Sequence, residues 1–99
     1  MDLAKQLKSA MTSGSLLFGQ KQSIKACANG EARMLIMAAN CPRHHIDEVR
    51  GRHPDIPLHQ VTLVNRELGS ACARPFPVSS ICVIDAGNSD LLTLRPNIE

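Results

Sequence analysis

Ala32-Arg33-Met34-Leu35-Ile36-Met37-Ala38-Ala39 is the most continuously apolar stretch of the chain, and Asn40-Cys41-Pro42 follows it directly. The run lacks the alternation of a strand with one wet face, so it reads as a central strand covered on both sides. Asn-Cys-Pro marks a turn immediately after it. A strand of this kind needs helices above and below it, and the flanking sequence supplies them.

Toward the amino terminus, Leu3, Leu7, Ala10 and Met11 recur at helical spacing, and Ser13-Gly14 ends that helix because glycine stops helices readily. Ser15-Leu16-Leu17-Phe18 reads as a short strand ending at Gly19, with Phe18 in the core. From Gln20 the pattern turns helical, with Ile24, Cys27 and Ala28 on one stripe and Asn29-Gly30 as the stop. Toward the carboxyl terminus, residues 43–53 are weakly amphipathic through Ile46 and Val49, with Gly51 and Pro54 limiting the helix. Ile56 to Val64 reads as a strand that starts near Pro57. Asn65 is placed as a helix N-cap, with Glu67 in the first turn and Leu68, Ala71 and Cys72 on the buried stripe. Arg74-Pro75-Phe76-Pro77 breaks that helix. Ser80 to Asp85 is another buried strand, and Leu91 to Leu94 a last short one. The order α-β-α-β-α-β-α-β-β implies an α/β fold, a three-layer α/β/α sandwich around a mostly parallel, mixed sheet.

At 99 residues the chain suits a single domain over 1–99. Aromatic residues are 2%, two Phe with no Trp or Tyr, which excludes a nucleic-acid platform of several stacked rings. The net charge of +2 is too mild for a blanket electrostatic binder of nucleic acid, so any such site is local. Lys5, Lys8, Lys21 and Lys25 stand against Asp2 alone in residues 1–30, which leaves that third at +3. No apolar run approaches the ~20 residues of a membrane span. The start of the chain has charges spread through it and no signal-peptide core, so a soluble, cytoplasmic protein without membrane contact is expected. Cys27, Cys41, Cys72 and Cys82 are irregularly spaced with no Cys-x-x-Cys pair, which suits reduced, buried thiols.

In open α/β sheets, ligands gather beyond the carboxyl ends of the strands. Three turns have that character. Gly19-Gln20-Lys21-Gln22-Ser23 leads from strand to helix, and its backbone N–H groups and Lys21 suit a phosphate. Asn40 carries both donor and acceptor and can read a base edge, although a plain turn residue would look the same. Ala73-Arg74-Pro75-Phe76-Pro77-Val78 holds one of the two Phe between prolines, where an exposed ring suits packing on an unstacked base. An enzyme is not indicated: Gly-x-Ser-x-Gly and HExxH are missing, and no predicted turn holds paired carboxylates. The different-class alternative is a small enzyme or metal-binding domain using Cys41, His44 and His45. A zinc site there would need two more ligands, with only His53 and His59 left to supply them.

Four segments together resemble one family. Gly19-Gln20-Lys21-Gln22-Ser23-Ile24-Lys25, Met37-Ala38-Ala39-Asn40-Cys41-Pro42, Glu67-Leu68-Gly69-Ser70-Ala71-Cys72 and Ile84-Asp85-Ala86-Gly87-Asn88-Ser89-Asp90 are similar to large-subunit ribosomal protein L-thirty of eukaryotes and archaea, within the L-seven-Ae superfamily of kink-turn RNA binders. They occur in family order across nearly the whole chain. The resemblance implies the α/β/α sandwich and a structural protein of the large ribosomal subunit, located in cytoplasmic ribosomes. Its partners would be large-subunit ribosomal RNA, bound at a kink-turn or similar internal loop, and neighbouring ribosomal proteins. It implies no catalytic residue, metal, cofactor or small-molecule substrate. Gly19 would let the backbone approach RNA, with Gln20, Lys21, Gln22 and Lys25 beside it. Asn40 would bond a base, and Arg74 and Phe76 would meet RNA from the loop after the fourth helix. Within the superfamily the alternative is a kink-turn binder of a non-ribosomal ribonucleoprotein, but such relatives usually carry Asn-Glu where this chain has Lys21-Gln22.

Overall fold

The apolar run does form the centre of the sheet. In the computed structural model, which describes residues 2–98, it is strand β2, Met34–Met37, with all four side chains buried. Around it the chain builds α1 (Leu3–Ser13), β1 (Ser15–Phe18), α2 (Gln20–Ala28), α3 (Arg43–Arg52), β3 (Leu58–Gln60), α4 (Asn65–Ala71) and β4 (Ser80–Asp85), then a 3-10 turn at Leu91–Thr93. Asp2 caps α1 by accepting from the Lys5 N–H. The sheet runs β1-β4-β2-β3.

Because side chains alternate along a strand, β2 feeds two separate cores. Met34 and Ile36 join Leu7 and Ala10 of α1, Leu68 of α4, and Ile81 and Val83 of β4. Leu35 and Met37 join Ala26 and Cys27 of α2, Ile46 and Val49 of α3, and Cys82 of β4. Helices α1 and α4 therefore cover one face and α2 and α3 the other. This is the α/β/α sandwich expected.

The sheet is mixed, but its parallel share is smaller than expected. β2 pairs parallel with β3 only, while β4 runs antiparallel to both of its neighbours, β1 and β2. Helix–strand alternation cannot reveal this reversal, since β4 enters the sheet between strands already formed. Three element boundaries also change. The Ile56–Val64 strand contracts to Leu58–Gln60, because after Val61 the chain leaves the ladder to reach α4. The N-cap of α4 is Val64, whose N–H is taken by Glu67 Oε1, and Asn65 becomes the first helical residue. Leu91–Leu94 is not a strand: a 3-10 turn places Leu91 and Leu94 on the same side against the α1 core, where a strand would send them to opposite faces. Beyond it, Asn97 lies along the outer edge of β3. Its N–H donates to the Leu58 carbonyl, and its side chain bonds the Gln60 backbone twice.

Leu91 is fully buried while Leu92 is 45% exposed. Leu91→Ala should therefore cost ~2–5 kcal/mol of stability and Leu92→Ala no more than ~0.5 kcal/mol. Urea unfolding of both variants checks this, and equal losses would contradict the turn.

Candidate nucleic-acid interface

Strands β1, β2 and β3 point the same way and β4 opposes them. One end of the sheet therefore collects the three turns that follow β1, β2 and β3 together with the loop that enters β4. All three turns singled out in the sequence lie there, and backbone bonds join them. The Gly19 N–H donates to the Ser80 carbonyl at 2.9 Å, Ala38 to Ser79 at 2.9 Å, Ala39 to Leu63 at 2.7 Å, and Val78 to Asn65 at 2.9 Å.

The first turn is set by Gly19, whose φ of +107° side chains rarely adopt; a Cβ there would face open space. The backbone is thus open to close approach by a large ligand. Gly19, Gln20, Lys21 and Gln22 line a depression of about 420 Å³ with Pro77 and Ser79 from the β4 entry loop. Gln20, Lys21, Ile24 and Lys25 line a second one, about 340 Å³, between α2 and α3, with His44, His45 and Glu48 opposite. Lys21 lines both.

Asn40 is more than a turn residue. Its Oδ1 accepts from the Asn65 N–H at 2.7 Å, and its Nδ2 donates to Asn65 Oδ1 at 3.1 Å. The amide is oriented from both ends, yet it keeps one N–H and one lone pair for an outside partner. Asn65 is the residue the sequence reading missed: placed as an N-cap, it instead anchors Asn40 from 25 positions away.

The third segment is held by α4. Helix α4 closes with the Arg74 N–H on the Gly69 carbonyl and Ala73 in the left-handed region at φ 56°, a position glycine usually fills. A Cβ on Gly69 would overlap the Phe76 carbonyl, so this glycine lets the loop fold back against the helix. Phe76 then stands 50% exposed, as its proline-flanked setting implied. Phe18 departs from expectation: it packs on the α1–α4 core but is only half-buried, with the Arg74 guanidinium 4.5 Å from its ring centre. That cation–π contact seats Arg74 at the end of β1, and Arg74 has no ion pair among the described residues. Asn40, Arg74 and Phe76 share the sheet end but line neither depression.

Of the residues of the enzyme-or-metal alternative, His44 and His45 share the depression between α2 and α3, but Cys41 does not line it. Among the described residues, no three His, Cys, Asp or Glu side chains are grouped to hold a metal ion. Cys41 is buried with its Sγ 3.9 Å from Met37 Sδ, and burial pushes its thiol up to about 11, away from the thiolate that ligation or attack requires. Burial also pushes Cys82 up to about 12 and Cys72 to about 11, the latter against the opposing pull of Arg74. His44 is exposed, and His45 is buried with its Nε2 3.1 Å from Ser80 Oγ.

The match to the model of the ribosomal protein L7Ae/L30e/S12e/Gadd45 family runs over residues 1–93. The chain belongs to that family. Large ribosomal subunit protein eL30 of Methanocaldococcus jannaschii is 32% identical over 96 residues, spanning 95% of this chain and 87% of that protein. The eL30 of Methanosphaerula palustris is 35% identical over 98 residues, spanning 96% of this chain and 98% of the relative. A solved structure, that of a protein with unknown function from Bacillus halodurans C, shares the fold with a TM-score of 0.79. It is 26% identical and matches across 93% of each chain. Among the described residues no helix is long and apolar enough to cross a membrane.

Burial lowers the pKa of His45 from 6.5, helped by His44 and opposed by Glu48. The unfolded chain then binds the proton more readily, so this contribution to stability is whole above about pH 6.5 and is lost as pH falls through the depressed folded-state pKa. Between about pH 7 and about pH 5, the wild type should lose more stability than His45→Gln in urea unfolding. Identical pH dependence of the two proteins would contradict it.

Proposed function

We propose that this chain is a non-catalytic structural protein of the large ribosomal subunit that binds a kink-turn or similar internal loop of ribosomal RNA. It works in cytoplasmic ribosomes beside other ribosomal proteins. The observation that carries this reading is the convergence of the Gly19 turn, Asn40 and the Arg74–Ser79 loop at one end of the sheet. They converge in a chain whose relatives along nearly their full length are named eL30.

Each residue has a physical role in that reading. The open backbone at Gly19 lets a phosphate come against the first turn of α2, with Gln20 and Gln22 as neutral donors. Lys21 and Lys25 on α2 and Arg74, stacked on Phe18 at the end of β1, supply the cations that track a bent backbone. Asn40, with its amide plane already set by Asn65, reads one base edge without the entropy of first ordering itself. Phe76 offers a ring face to an unstacked base, the usual way a protein recognises RNA that is not a duplex. Few cations take part, so the salt dependence is shallow, near 0.7–0.9 of a log unit per contact and log unit of salt.

Titration of a kink-turn RNA and a plain duplex of equal length tests the reading. Lys21→Ala should weaken both, while Asn40→Ala and Phe76→Ala should weaken the kink-turn alone by ~1–3 kcal/mol. Phe76→Ala should leave the melt unchanged. Equal affinity for duplex and kink-turn in the wild type, with a steep salt slope, would contradict the reading.

A further inference from the structure

Among the described residues, three polar side chains are buried almost completely: Ser23, His45 and Ser80. All three belong to one hydrogen-bonded chain. Ser23 Oγ donates to the Gly19 carbonyl at 2.7 Å and lies 3.1 Å from Ser80 Oγ, which in turn lies 3.1 Å from His45 Nε2.

Counting protons gives the chain a direction. Ser23 has one hydroxyl proton, and the Gly19 carbonyl takes it. Ser80 must then donate to Ser23, which leaves Ser80 only as an acceptor toward the ring. His45 Nε2 therefore carries a proton and starts the chain, and the neutral imidazole has the Nε2–H tautomer.

The chain ends on the residue with the greatest backbone freedom at this edge. Gly19 sits at φ +107° and ψ 157° with no side chain to wedge it. Its carbonyl receives both the Ser23 hydroxyl and the Ser23 N–H, and its own N–H goes to the Ser80 carbonyl. An apolar trio would pack α2 and α3 onto the sheet equally well, without the cost of burying polar groups. It would leave the Gly19 carbonyl held by the Ser23 N–H alone.

We propose that His45 is a positioning residue for the RNA-binding edge: acting through Ser80 and Ser23, it locks the Gly19 carbonyl and with it the first turn of α2 that carries Lys21. This rests on the RNA reading above. Strand β4 and helix α3 thereby set the angle of a turn to which neither belongs.

The test uses the full-length protein in two stages. In the free, nitrogen-15-labelled protein, His45 should show a protonated Nε2 and an unprotonated Nδ1 at neutral pH. His45→Leu and Ser80→Ala should each speed exchange of the Ser23 amide about tenfold over amides of α1, which report global unfolding, the loss one hydrogen bond produces. His45→Gln, whose side-chain N–H can replace Nε2–H, should restore wild-type exchange. Against kink-turn RNA, His45→Leu and Ser80→Ala should each weaken binding about tenfold. The double variant should be no weaker than either, because both cut one chain, and His45→Gln should bind as the wild type does. A proton on Nδ1 alone overturns the proposal, as does a His45→Leu loss that His45→Gln fails to recover. Wild-type binding unchanged in His45→Leu overturns this proposal and leaves the RNA reading standing. Failure of the wild type to prefer kink-turn RNA over duplex overturns both.

Discussion

Strand β2 has no wet face, and the architecture follows from that. Met34 and Ile36 look into one core and Leu35 and Met37 into the other, all of them 1% exposed or less. Each such side chain contributes ~1.5–3 kcal/mol by leaving water, against a net stability of ~5–15 kcal/mol for a whole domain. Helices must therefore stand on both sides, and β4 and β3 must flank the strand to satisfy its backbone. Where β2 ends at Met37, the chain has to turn within a few residues. Asn40 lies exposed in that turn.

The edge formed by these strand ends is prepared rather than strongly charged. A net charge of +2 cannot draw nucleic acid by bulk attraction, so the proposed recognition depends on groups already aimed. Asn65 orients the Asn40 amide, Phe18 seats Arg74, and Gly69 lets the loop fold back so that Phe76 faces outward. None of these supports touches the ligand in the proposed mode. Each removes freedom that binding would otherwise have to remove.

The local signals in the sequence were reliable. Gly14, Gly19 and Asn29-Gly30 stop their elements where glycine and turn residues should, and α1, β1, α2 and β4 lie where the sequence reading placed them. Features decided by distant partners were not legible. Apolar residues at 56–64 look like one strand, but only Leu58–Gln60 has a partner in register with β2. Leu91 and Leu94 suit a strand by composition and a 3-10 turn by the single core they share. The direction of β4 leaves no local trace at all.

The candidate site divides in the same way. Gly19, Lys21, Asn40 and Phe76 stood out because turns beyond strand ends carry unusual residues, and a family resemblance gave them roles. Asn65 and Ser80 did not, since their partners lie 25 and 35 positions away. Ser80 did leave a faint mark: a hydroxyl heading the run Ile81-Cys82-Val83-Ile84 will be buried and must find a partner.

The central claim is that RNA meets the protein at the carboxyl ends of β1, β2 and β3. Amide chemical-shift mapping during titration with an unlabelled kink-turn RNA tests it most directly. The account predicts that the large shifts fall on residues 19–25, 40, 65 and 74–79, with the far end of the sheet unmoved. Shifts centred instead on residues 50–58, which lead into the amino end of β3, would contradict it.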